Sequence, residues 1–176
     1  TPDAAQENAG LDRVAGQLAH GARHFGLDDA RRDGVDGDAA RREFDDWMDD
    51  AEGALALVLL LDQIPRNIFR DSGHAFATDP LALHVASRAI DAGFDAKVDA
   101  SLRFFFYLPF EHSEAIADQD RAVELITGLG NANLLDYAIA HRDAIVRFGR
   151  FPHRNGALGR GNTPDEQAWL DAGGGF

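Results

Sequence analysis

The residues able to do chemistry in this chain sit in three short polar tails, each attached to an apolar run. The first closes the stretch LALVLLLDQIPRNIFR, where Asp62, Gln63, Arg66, Asn67 and Arg70 follow Leu57 to Leu61. The second follows SLRFFFYLPF and begins Glu111, His112, Ser113, Glu114. The third follows Ile145 and Phe148 and holds Arg150, His153, Arg154 and Asn155. Runs this apolar must be buried, and polar groups carried inward with them need partners. Three such tails on separate helices are placed to converge on one polar centre. Arginine offers a planar fork of donors that matches carboxylate or phosphate. A histidine beside a carboxylate can act as general acid or base. The candidate ligand-binding set is therefore Asp62, Arg66, Asn67, Glu111, His112, His141, Arg150, His153, Arg154 and Asn155. Glu111, His112 and His153 are the candidate catalytic groups. The same residues also fit a structural network in which arginines pair with carboxylates inside the fold, and such networks mimic active sites.

From His141 to Arg160 the chain carries His141, Arg142, Arg147, Arg150, His153, Arg154 and Arg160 against a single opposing Asp143. In a protein of net charge −13, that basic stretch calls for either intramolecular pairing or an anionic ligand. Other chemistries find less support. Glu111, His112, Glu114, His141 and His153 are suitable metal-ligand types, but no ExxH or HExxH pattern occurs and Pro109 disturbs the local geometry, so no metal site is assigned. His20 and His24 have helical metal-pair spacing, yet they lie off the apolar stripe of their segment and lack the glutamate of HExxH. The chain has no cysteine and no GxSxG motif, which removes the usual nucleophiles. GALGRG at 156–161 lacks the Lys-Thr of a phosphate loop. No cofactor is expected.

The length of 176 residues fits one domain spanning 1–176. The acidic balance argues against nucleic acid and anionic membrane as partners. The longest apolar run, Ala54 to Leu61, is too short to cross a bilayer, and no export signal is visible, so a cytoplasmic protein is expected. Lys97 is the only lysine. Oligomeric state leaves no mark in the sequence.

The elements that must position these tails are helical. Residues 4–25 carry Leu11, Val14, Leu18, Ala22 and Phe25 on one stripe, and 26–38 read as a Gly- and Asp-rich loop. Ala39 to Asp50 reads as a short helix bearing Phe44, Trp47 and Met48. Gly53 opens the buried helix, which runs to about Gln63. Pro65 should bend or restart it, because proline cannot donate to the carbonyl four residues back. Thr78-Asp79-Pro80 reads as a capped helix start. Ser101 to Phe110 reads as a second core helix, kinked or ended by Pro109. Helices over about 113–128 and from Asn131 or Asn133 to Phe148 follow, the latter placing His141 on its inward stripe. Thr163-Pro164-Asp165-Glu166 is a capping box opening a last short helix. Six to eight helices with short connections and no convincing strand give an all-α fold of consecutive antiparallel hairpins. No internal repeat of about 34 residues occurs, so an ordinary tetratricopeptide array is not supported by motif.

LALVLLLDQIPRNIFR, HAFATDPLAL, FYLPFEHSE with ADQDRAV, and LLDYAIAHRDAIVRFGRFPHRN resemble, in order, the signature blocks of the uncharacterised bacterial domain of unknown function 924 family. The likeness covers residues 39–170. It implies a curved, tetratricopeptide-like helical domain and no established activity, cofactor or substrate. Residues 1–38 diverge: family members usually begin with a Trp- and Phe-rich block, whereas this segment holds only Phe25 among its aromatic residues. Two functions follow as expectations, and neither settles whether the protein is an enzyme. One is a pocket between helices that holds a small anionic ligand. The other is a helical scaffold for a peptide or protein, with the polar centre purely structural. The pocket requires that His112, His153 and Arg154 meet in space.

Overall fold

The polar centre owes its existence to a break in the hydrogen bonding of the most buried helix. The computed structural model describes residues 35–176. The helix expected over 4–25, with His20 and His24, and most of the expected 26–38 loop lie outside the described residues. Within them the chain begins with helix α1, Val35–Ala40. The single helix expected over 39–50 is instead α1, a turn, and a 3-10 segment at Asp45–Asp49. The break falls at Arg42, whose φ of 66° lies in the left-handed region that a helix does not tolerate. Phe44 and Trp47 stack at 4.6 Å beyond it and pack on the core.

Helix α2, Ala51–Val58, starts two residues earlier than expected because Asp50 caps it, accepting from Gly53 N at 2.8 Å. Gly53 lies inside that first turn and is there for space: a Cβ would stand 2.4 Å from the Trp47 carbonyl oxygen. The chain then widens into a π-helical turn, Leu59–Gln63, closed by Ile64 N–H donating to Leu59 O five residues back. Helix α3, Ile64–Ile68, continues from it with Pro65 in its first turn. Pro65 thus does not restart the chain. Its missing N–H leaves the Leu61 carbonyl, four residues back, without its helical donor. Thr78 Oγ1 supplies the bond instead, donating to Leu61 O at 2.5 Å. Thr78 accordingly makes no side-chain cap to its own helix, α4, Asp79–Asp91, contrary to the expected capping role. That bond clips the start of α4 against the π turn and delivers Asp79 to it.

The expected core helix over 101–110 is a 3-10 segment, Arg103–Phe106, followed by the one-turn helix α5, Leu108–Glu111. Pro109 lacks an N–H and fits only the first turn of a helix, so it opens α5 rather than closing a longer one. Phe104, Phe105, Phe106 and Phe110 are buried in the main core with Leu55, Val58, Leu60 and Leu61. Burial of each such side chain stabilises the fold by roughly 1.5–3 kcal/mol. Helices α6, Ile116–Thr127, and α7, Ala132–Phe148, pack on one another across a short turn. Asn131 caps α7, accepting from the N–H groups of Asn133 and Leu134, and Gly149 ends it at φ 68°. A 3-10 turn, Pro152–Arg154, leads to α8, Pro164–Asp171, opened by the expected Thr163–Glu166 capping box. Phe151 and Ile145 form a smaller core with Trp169. The described residues are all-α, with no strand among them, and none of their helices is long and apolar enough to cross a membrane.

Gly53→Ala should cost about 1–3 kcal/mol, since its methyl meets fixed backbone rather than a side chain that can turn away. Gly156→Ala, where a Cβ meets nothing within 4 Å, should stay within about 0.5 kcal/mol of the parent. Urea unfolding of the two variants separates these outcomes.

Candidate functional site

Asp62 lies inside the π turn with no solvent exposure, so its carboxylate must be satisfied from within. Gln63 Nε2 donates to Oδ2 at 2.5 Å. His112 Nδ1 lies 2.7 Å from Oδ1, and Arg66 Nη1 lies 3.1 Å from the same oxygen. Arg66 Nη1 also donates to the Asp62 carbonyl at 2.7 Å, tying the loosened turn together. The Arg66 fork then engages both oxygens of Asp79, at 2.8 and 2.9 Å. Arg154 completes the series, with Nη1 donating to Asp79 Oδ2 at 3.1 Å. Its guanidinium lies over both the Phe76 and Phe151 rings, at 4.5 and 4.6 Å. Asp62, Arg66, Asp79 and Arg154 thus alternate in sign across three separate segments. Burial disfavours the Asp62 charge, but Arg66, His112 and the hydrogen bonds from His112 and Gln63 outweigh it and hold the carboxyl well below its ordinary range.

His112 and Glu111 are placed by a buried amide. Gln119 on α6 has no exposure, and its Nε2 donates to the carbonyls of Glu111 at 2.7 Å and Ser113 at 2.6 Å. The first is a carbonyl that the end of a one-turn helix leaves unpaired, and the second lies two residues past it. Glu111 is 3% exposed, and its Oε2 has no partner among the described residues. Burial, and then the neighbouring Asp62 charge, push its carboxyl up to about 8, so it is mainly protonated at neutral pH. Its Oε1 lies 3.3 Å from His141 Nδ1, which also faces the Tyr137 carbonyl at 2.9 Å.

All three histidines are neutral at pH 7. Burial, reinforced by Arg66, lowers His112 against the pull of Asp62. Burial brings His141 down to about 3 and, with Arg154, His153 down to about 4. With Nδ1 donating to Asp62, His112 keeps Nε2 as an acceptor. Arg154 is lowered to about 10 by burial and Arg66 but keeps its charge; its buried Nε is also without a partner among the described residues.

These groups border a cleft of about 650 Å³. Of the residues singled out from sequence, Arg66, Glu111, His112, His141, His153 and Arg154 line it, and Asp62 supports it from behind. His112, His153 and Arg154 therefore meet around one space, as the pocket requires. Asn67, Arg150 and Asn155 are not among the lining residues. Asn67 Nδ2 donates to the Gln63 carbonyl, Arg150 is bound through both Nε and Nη2 to Glu166, and Asn155 pairs with Asn162.

The basic stretch from 141 to 160 is accounted for by pairing within the fold. Arg142 meets Asp120, Arg147 meets Asp165, Arg150 meets Glu166, Arg154 meets Asp79, and Arg160 meets Glu114. Asp79 is the residue that sequence reasoning missed: between Thr78 and Pro80 it reads as no more than a first-turn acid, and nothing local shows that it joins two arginines. Phe76, Tyr137 and Phe176 on the cleft wall were missed as well. Among the described residues no three of His, Asp and Glu are grouped to hold a metal ion.

Residues 16–174 match the model of a family described as bacterial protein of unknown function (DUF924). A solved structure, the protein of unknown function ATU0120 from Agrobacterium tumefaciens, is 50% identical and superposes with a TM-score of 0.78 over 88% of this chain and 85% of that one. No curated protein matches the chain.

The buried Glu111 makes stability fall as pH rises. Between the unfolded value near 4.5 and about 8 the folded chain holds a proton that the unfolded chain has released. The neutral histidines act in the opposite sense, most strongly below their unfolded value of 6.5 and fading over about one pH unit above it. From pH 6.5 to 8, Glu111 should therefore impose a loss approaching about 1.4 kcal/mol per pH unit. The urea midpoint of the parent should fall relative to that of Glu111→Gln over that window, the histidines contributing equally to both and cancelling in the difference.

Proposed function

The chain belongs to the DUF924 family of bacterial proteins of unknown function, and on that footing we propose that its cleft binds a small anionic molecule and that His112 acts on it as a general base. One observation carries this reading: His112 Nδ1 stands 2.7 Å from the fully buried Asp62 carboxylate while the same ring borders the cleft. The hydrogen bond fixes the ring and its tautomer and leaves Nε2 to accept a proton, and the ionised Asp62 stabilises the imidazolium that results.

Glu111 supplies the complementary group. Its carboxylic acid is buried on the same cleft with Oε2 unpartnered among the described residues, and adjacent groups biased toward opposite protonation states form an acid–base pair. In the proposed step His112 Nε2 takes a proton from the ligand while Glu111 gives one to a ligand oxygen, so the site as a whole gains no charge. Arg154 holds the anionic group. Its Nη1 is engaged by Asp79, whereas its Nε is buried without a partner among the described residues. Arg66 has its fork committed to Asp79 and Asp62, so its part is to fix Asp79 and the Asp62–His112 pair.

A thermal-shift screen of small carboxylates and phosphates tests the reading. At least one should raise the melting temperature of the parent by several degrees. Arg154→Met, which keeps an apolar stem against the Phe76 and Phe151 rings, should abolish that response while leaving the far-UV circular dichroism unchanged. A flat response of the parent to every anion favours the alternative, a helical scaffold whose polar centre only holds the fold.

A further inference from the structure

At the side of the cleft where His141 and His153 line it stands a cage of rings rather than charges, and one of the chain's own side chains, Phe176, sits in it. Phe176 stacks face to face on His141, with ring centroids 3.6 Å apart and planes 17° from parallel. The edges of the surrounding slot are Phe151 at 6.2 Å and 84°, and His153 at 5.6 Å and 86°. Trp169 closes it at 6.3 Å. Face-to-edge enclosure of this kind selects a flat aromatic ring, through the quadrupoles of the rings as well as their area. The slot adjoins the cation, because Phe151 forms one of its edges and also lies against the Arg154 guanidinium at 4.6 Å.

Phe176 fills this slot without being built into the core. It is 45% exposed, while Phe151 beneath it is 0% exposed. The residues leading to it are Gly173, Gly174 and Gly175. Gly173 and Gly175 have φ of 86° and 128°, which glycine adopts without strain. Gly174 has its N–H bonded to the Trp169 carbonyl, and a Cβ there would fall 2.3 Å from the Trp169 ring. No hydrogen bond is made by Phe176 among the described residues. Its place is set by ring contacts at the end of a glycine tether, which are contacts that another ring can replace one for one.

We propose that the slot formed by His141, Phe151, His153 and Trp169 is the subsite for the aromatic ring of the ligand, so that the cleft takes an aromatic carboxylate or phosphate, and that Phe176 occupies the slot when the ligand is absent. This rests on the anion reading above, and it adds the ring. The neutral state of His141 and His153 suits the role, since a ring can stack on the one and meet the other edge-on without desolvating a charge.

Titration calorimetry with benzoate and acetate, on the parent and on Phe176→Ala, tests the two readings separately. Removing the competing ring should tighten benzoate about two- to tenfold, the equivalent of the roughly 0.5–1.5 kcal/mol of an aromatic pair, and leave acetate within twofold. In the parent, benzoate but not acetate should move the Phe176 ring resonances toward solvent-exposed positions, a measurement that needs no variant. Phe176→Ala binding benzoate no better, or worse, with those resonances unmoved in the parent, would overturn the aromatic subsite while leaving the anion reading in place. Binding of neither acid to either protein would overturn the anion reading, and the subsite with it.

Discussion

A carboxylate with no access to water sets the arrangement of this fold. Asp62 is 0% exposed, and an isolated buried charge of that kind is untenable unless paired and hydrogen-bonded. Its partners come from its own turn, Gln63 and Arg66, and from His112 fifty residues away. Arg66 is then itself a charge in need of a second anion, which Asp79 supplies, and Asp79 in turn takes Arg154. Each step satisfies one group and draws in the next. The series links the π turn to the start of α4, the turn after α5 and the 152–154 turn. Those segments share little sequence proximity, and the charges fix their mutual register.

The backbone makes the charge series possible. Pro65 deprives the Leu61 carbonyl of its helical donor, Thr78 takes over that bond, and Asp79 follows by one residue. Proline, threonine and aspartate here form one device: a deliberate gap in a helix, the hydroxyl that fills it, and the carboxylate thereby delivered. At α5 the same logic recurs with Gln119, whose amide gathers the carbonyls at and just past the end of a helix of one turn and so orients Glu111 and His112. Side chains that line the cleft are thus held by side chains that repair backbone.

How much of this the sequence discloses depends on the range of the interaction. The all-α class is legible because helical periodicity, caps and glycine stops are local, and the Thr163–Glu166 box and the Gly149 stop stand where they were read. The inward face of His141 is legible for the same reason. Helix interruptions are less so: the left-handed Arg42 has no local signature, and Pro109 reads equally as the end of one helix or the beginning of another. Convergence of Arg66, Glu111, His112, His153 and Arg154 follows from polar tails on buried runs, but the partner assignments do not. Asp79 carries the signals of a first-turn acid and Arg150 those of an anion binder. Pairing across 75 residues, Arg154 to Asp79, is decided by packing that no window of sequence contains. The basic stretch at 141–160 is the clearest case: it is basic only in sequence, since its five arginines each meet a carboxylate from another part of the chain.

The same buried charge also sets the protonation states around it. Asp62 accepts from His112 Nδ1, which commits that ring to one tautomer with its acceptor nitrogen away from the carboxylate. Burial is the larger cause of the raised Glu111 carboxyl, but Asp62 is the charge that adds to it. One ionised group therefore favours a base at residue 112 and an acid at residue 111, adjacent in sequence and both on the wall of one cleft. Were Asp62 neutral, His112 would lose its orienting acceptor and Glu111 the charge that helps to keep its proton, while Arg66 would lose an anion. Arg66 is consequently as necessary to the acid–base pair as either member, although its fork is turned toward aspartates: it keeps Asp62 ionised at a depth where burial alone would protonate it. Stability and the proposed chemistry rest on the same ion pairs, which is why the polar centre need not be either structural or functional alone.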